Sequence, residues 1–126
     1  MENGKIKIIK MIIADVLPFA SGAFDVITML AVLEHLSDPV NMVKEIERVL
    51  KNDGRLVITV PGKAAQHVLE FLSYRLKIVN SDEKRDHKKY YNCDELKKLF
   101  YQTGMIMEYH GYFQMGMNNF CIIKKV

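Results

Sequence analysis

Apolar residues in this chain fall into short blocks of two kinds. "KIKIIKMIIA" (Lys5 to Ala14) is rich in β-branched isoleucine and lacks a 3.6-residue period, which predicts a strand. "FDVITML" (Phe24 to Leu30) and "RLVITV" (Arg55 to Val60) are nearly continuous apolar runs bounded by turn residues. Such runs predict strands covered on both faces, as in a parallel sheet. Between them lies a punctuated helix: Asp38 as N-cap, Pro39 at the first helical position, an apolar stripe of Val43, Ile46, Val49 and Leu50, and Gly54 past the end. Strand, crossover helix and parallel strand make one βαβ unit.

The second half changes character. From Ala64 to about Val79 the apolar positions Val68, Phe71, Leu72, Leu76 and Val79 recur at helical spacing. "NSDEKRDHKK" is a charged connection of mixed sign. "NCDELKKLFYQTG" predicts a helix with Asn92 as cap, Glu95 as its capping-box partner, a Leu96, Leu99, Phe100 stripe and Gly104 as stop. Met105 to Met115 and Asn119 to Val126 then read as two strands of an antiparallel hairpin.

Composition narrows the class of protein. With 126 residues, 49% hydrophobic and 26% charged, the chain is long enough for one domain with a real core and too short for two. The net charge of +3 comes from lysines spread along the sequence, so nucleic acid is not an expected partner. Cys93 and Cys121 lie far apart without metal-ligand spacing, and no stretch approaches the ~20 apolar residues of a membrane span. These features predict reduced thiols, no metal and a soluble, cytoplasmic protein.

The block "ADVLPFASGAFDVITMLAVLEHLSDPVNMVKEIERVLKNDGRLVITVPG" (Ala14 to Gly62) resembles the central part of class I S-adenosylmethionine-dependent methyltransferases, in their small-molecule and quinone-type branch. The likeness rests on an acid before "LPF", then "FD", "LEHL" and "RVLKNDG" in that order, and "HKKYYNCDELKKLFYQTGM" (His87 to Met105) is similar to the family's last helix and the approach to its hairpin. It implies an α/β fold: a truncated Rossmann-like methyltransferase sheet, mostly parallel with a C-terminal antiparallel hairpin, and helices on the faces. The family's glycine-rich cofactor loop precedes the "LPF" block, and "MENGKIKIIKMIIA" shows no such pattern. Residues 1–126 are therefore expected to form a single domain, the C-terminal portion of that fold. Either it belongs to a longer enzyme, or it is a remnant that has lost the cofactor's main cradle and serves as an interaction module.

The resemblance also implies roles. Asp15 would accept a hydrogen bond from the adenine amino group of S-adenosylmethionine and the backbone N–H of Val16 would reach a ring nitrogen; alternatively Asp15 caps its own loop. Met29, Leu30 and Ala31 correspond to the segment beside the cofactor's methionine end, or else pack as core. His35, just past a strand's carboxyl end where α/β sheets bind ligands, is the candidate base, with loop orientation as the alternative. Glu34 would orient its imidazole or face solvent. His87, Tyr90 and Tyr91 correspond to the acceptor side, or else form a helix approach packed on the sheet. The expected partner is a small-molecule methyl acceptor. With the family's first strands missing, strand Phe24 to Leu30 would show an unpaired edge, which Lys5 to Ala14 or a second copy, as a homodimer, would cover.

Overall fold

The computed structural model of the chain describes residues 6–10, 16–76, 89–114 and 116–126. Its elements run β1 (Phe24–Leu30), a 3-10 turn (Leu33–His35), α1 (Pro39–Val49), β2 (Leu50–Pro61), α2 (Lys63–Leu76), α3 (Cys93–Tyr101), β3 (Met105–Phe113) and β4 (Asn118–Lys125). The four strands form one sheet in the order β1-β2-β4-β3. β2 pairs parallel with β1 and antiparallel with β4, and β4 closes the hairpin with β3. The parallel βαβ unit and the terminal hairpin thus stand where the sequence placed them.

Local chemistry explains the helix ends. At α1, Asn41 N–H donates to Asp38 Oδ1 at 3.2 Å, and Pro39 follows where a missing N–H costs nothing. At α3 the capping box is complete: Glu95 N–H donates to Asn92 Oδ1 at 2.8 Å and Asn92 N–H to Glu95 Oε1 at 3.4 Å. Met42, Val43, Ile46 and Val49 of α1 and Leu96, Leu99 and Phe100 of α3 are buried. All of these except Val49 share one core with Leu56, Ile58 and Val60 of β2 and Cys121 and Ile123 of β4. The register puts Ile27 and Met29 of β1 on this face and Val26, Thr28 and Leu30 on the other, with Val57 and Ile122.

Four expectations need correction. Ile6–Lys10 forms no strand, and the rest of Lys5 to Ala14 lies outside the described residues. Isoleucine favours a strand only where a neighbour supplies hydrogen bonds and packing, and this segment pairs with none. Second, β1 is not covered on both faces: Val26 and Leu30 are 57% and 58% exposed, because β1 is the sheet's edge among the described residues. Third, Val68 and Phe71 of α2 point outward, so that stripe is not a core stripe; Val79 lies outside the described residues. Fourth, Gly54 does not stop α1, which ends five residues earlier with Leu50 as its C-cap.

Gly54 has a different task. Phe24 pairs with Leu50 and Val26 with Arg55, so Lys51 to Gly54 loops out opposite Asp25. Asp53 turns this loop in the left-handed region (φ 63°), and a Cβ on Gly54 would lie 2.7 Å from Lys51 O and 3.1 Å from Asp25 O. Both obstacles are backbone and cannot swing aside. Gly54→Ala is expected to lower stability by about 2 kcal/mol in urea unfolding; an unchanged midpoint would show that the loop accommodates the methyl group.

Candidate functional site

The carboxyl ends of β1 and β2 set the site. After Leu30 the chain reverses at Ala31, whose φ of 56° is rare for a residue with a Cβ. The turn is held because Ala31 N–H donates to Thr59 O at 3.0 Å and lies 3.1 Å from Thr59 Oγ1. The 3-10 turn follows and delivers Leu33 and Glu34 inward and His35 outward. His35 N–H donates to Val32 O at 3.0 Å, which fixes the backbone beneath the imidazole.

Glu34 is only 2% exposed, and its Oε1 has no hydrogen-bond partner. Its main-chain oxygen accepts from Lys89 N–H at 3.0 Å, tying this turn to the approach of α3. Tyr90 and Tyr91 stand on that approach. Burial pushes both phenols above their ordinary range; the Glu70 and Glu34 carboxylates add to the effect at Tyr90, and those of Glu95 and Glu34 at Tyr91. The Tyr91 hydroxyl is likewise without a partner. Its backbone is anchored: Tyr91 N–H donates to Pro61 O, and Tyr91 O accepts from Asn119 Nδ2 at 2.9 Å. Asn119 is fully buried, also donates to Val60 O, and its Oδ1 lies 2.7 Å from His110 Nε2. Because the amide nitrogen already serves two carbonyls, Oδ1 is the acceptor and His110 carries its proton on Nε2. A cleft of about 230 Å³ opens beside this network, lined by Lys63, Ala64, Tyr91, Asn92, Tyr112 and Gly116.

A second opening lies along the edge of β1. It is an apolar groove of about 350 Å³ between β1, α1 and the loop Leu17–Phe19, with Val32, Leu36 and Met42 on its walls. A clamp holds that loop. Leu17 N–H donates to Glu45 Oε1 at 2.8 Å, while Arg48 bonds Glu45 through Nε at 2.9 Å and donates to Phe19 O and Leu17 O. The Arg48 hydrogen bond and the Leu17 amide hold the Glu45 carboxyl below its ordinary value.

The predicted residues divide accordingly. Val16 is exposed beside the clamped loop, Met29 is core, Leu30 is exposed, and Ala31 is the turn. Glu34, His35, Tyr90 and Tyr91 gather at the carboxyl end of β1. Asp15 and His87 lie outside the described residues. Thr59, His110, Asn119 and the Glu45–Arg48 clamp carried no local signal. Among the described residues no group of three metal-ligating side chains assembles, and no helix is long and apolar enough to cross a membrane.

This arrangement is an open α/β sheet with one parallel βαβ unit, and the turn Leu33–His35 follows the strand end at which such sheets bind ligands. A family model described as a methyltransferase domain matches residues 1–58. The chain is 44% identical over 45 residues to the uncharacterized methyltransferase YcgJ of Bacillus subtilis, covering 36% of this chain and 18% of that protein. It is 30% identical over 90 residues to the protein named "Probable S-adenosylmethionine-dependent methyltransferase Rv3030" of Mycobacterium tuberculosis, covering 71% of this chain and 30% of that protein. A solved SAM-dependent methyltransferase from Methanosarcina mazei superimposes with a TM-score of 0.68 at 21% identity, over 93% of this chain and 66% of that one. Together these likenesses support a class I S-adenosylmethionine-dependent methyltransferase. Its matches span less than a third of the length of these curated relatives.

The family's cofactor is S-adenosylmethionine. The described residues fit it only in part. The groove offers an apolar wall, and among the described residues that line it Thr28 is the one polar side chain and there is no carboxylate or glycine to take a ribose or an amino acid. The clamp beside it should respond to pH. Glu45 has a depressed folded pKa, so its contribution is present above the ordinary value of 4.5 and is lost as pH falls through the lower folded value. The amide proton shift of Leu17 should therefore titrate with a midpoint below 4.5, and Glu45→Gln should flatten it; a midpoint at or above 4.5 contradicts the clamp.

Proposed function

We propose that these 126 residues are the C-terminal, acceptor-side portion of a methyltransferase acting on a small-molecule acceptor, with a cofactor site that they complete only in part. The observation that carries this reading is the pairing of a family-typical βαβ core with a β1 groove whose described lining is apolar apart from Thr28. Asp15, Val16, Met29, Leu30 and Ala31 are assigned to the cofactor side. His35, outward at the end of β1, is assigned as the base that takes the acceptor's proton where the acceptor holds it tightly, a task that imidazole commonly serves. Glu34, buried behind it, orients the turn.

A second reading has a specific observation behind it. The open edge of β1 and the unmet groove favour a non-catalytic module that acts by binding. Titration calorimetry with S-adenosylhomocysteine separates a complete site from a partial one. The 126-residue chain is expected to show no saturable heat at submillimolar ligand. Submicromolar binding would mean that these residues build the whole cradle themselves, and the partial-site reading fails.

A further inference from the structure

Two buried polar atoms on neighbouring segments are left without partners. Glu34 is 2% exposed and Tyr91 8%, and among the described residues neither Glu34 Oε1 nor the Tyr91 hydroxyl has a hydrogen-bond partner. Such orphans carry the full cost of leaving water, so native interiors almost always supply them with a partner. Both side chains are already enclosed by this chain, so no added segment or second copy reaches them without opening the fold. Their partner has to be small enough to lie inside.

The segments that carry them are fixed side by side. Lys89 N–H donates to Glu34 O at 3.0 Å and Tyr91 N–H to Pro61 O at 3.1 Å, so Lys89 to Tyr91 crosses the carboxyl ends of β1 and β2. Asn119 Nδ2 donates to Tyr91 O at 2.9 Å and fixes the far end of this crossing. Burial first, then the charges of Glu95 and Glu34, push the Tyr91 phenol above its ordinary range, which puts Glu34 within electrostatic reach of that side chain. The two groups are complementary, because a carboxylate oxygen accepts and a phenol donates. They do not bond directly, and polar groups coupled beyond direct reach are the ones that an ordered water joins.

We propose that one buried water links the Tyr91 hydroxyl to Glu34 Oε1, accepting from the first and donating to the second, and that through this link Tyr91 acts as a positioning residue for the turn that presents His35. Glu34 immediately precedes His35 in that turn and is its buried polar side chain. The link itself is independent of methyl transfer; its bearing on catalysis rests on the assignment of His35 as the base.

Urea unfolding of the 126-residue chain tests the link with Tyr91→Phe and Glu34→Leu, which each remove one polar group and keep most of the packing. Each single variant should lower the midpoint, because it strands the other group, and the double variant should lie no lower than the weaker single one. Additive losses overturn the link. Should Glu34→Leu fail to fold, a crystal structure of the wild type decides: an ordered water within hydrogen-bond distance of both atoms supports the link, and no water there, or a direct Tyr91 to Glu34 contact, overturns it. For the positioning role, the imidazole Cε1–H NMR signal of His35 should move in Tyr91→Phe and stay in place in Ile123→Val, a core change opposite Leu56, toward the other end of β2 from Pro61. A His35 signal that Tyr91→Phe leaves unmoved, or that both substitutions move alike, overturns that role. None of these readouts uses cofactor or acceptor, so their outcome is separate from that of the calorimetric titration.

Discussion

Every other element takes its position from β2. It is the one strand that pairs both ways, parallel to β1 and antiparallel to β4, and its Leu56, Ile58 and Val60 are fully buried. Each such side chain contributes on the order of 1.5–3 kcal/mol through removal from water. Helix α1 packs on β2, α3 packs on β3 and joins the same core, and the Lys89–Glu34 and Tyr91–Pro61 hydrogen bonds draw the end of β1 and the approach to α3 together. Thr59 extends the same strand's influence to the site by holding Ala31 in a conformation that alanine rarely adopts.

The site is therefore built from two supports of different strength. At the carboxyl end of the sheet, a network of Asn119, His110 and the Tyr91 backbone ties the hairpin to the approach of α3, and Glu34 is buried next to His35. At the start of β1, the Leu17–Phe19 loop is held by the Glu45–Arg48 clamp, by Leu17 packing on the core and by Phe19 against Phe24, and the β1 edge beyond it is open among the described residues. The first support is buried within the sheet; the second is a surface arrangement whose hold depends on Glu45 being ionised.

Much of the fold was legible because it is locally encoded. Asp38 with Pro39, Asn92 with Glu95 and the polar break before Asn119 each report a boundary within a few residues, and those boundaries stand. The failures share a different cause. Lys5 to Ala14 has strand propensity, but pairing is a property of two strands, and no described strand meets Ile6–Lys10. The α2 stripe has the right period, and period alone does not say whether anything lies opposite it. Gly54 reads as a helix stop, whereas its need arises from the Asp25 and Lys51 carbonyls brought near by sheet register. The clamp joins residues about thirty positions apart, and Asn119 serves carbonyls on two other segments, so neither has a local pattern.

The central claim is that this chain holds one wall of a cofactor site at the start and carboxyl end of β1. The most direct measurement is a nitrogen–proton NMR titration of the isotope-labelled chain with millimolar S-adenosylhomocysteine. The account predicts shifts confined to the amides of Val16, Leu17 and Leu30 to Val32, with no saturation. Shifts centred on the Lys63 and Tyr112 cleft, or none at all, would contradict it.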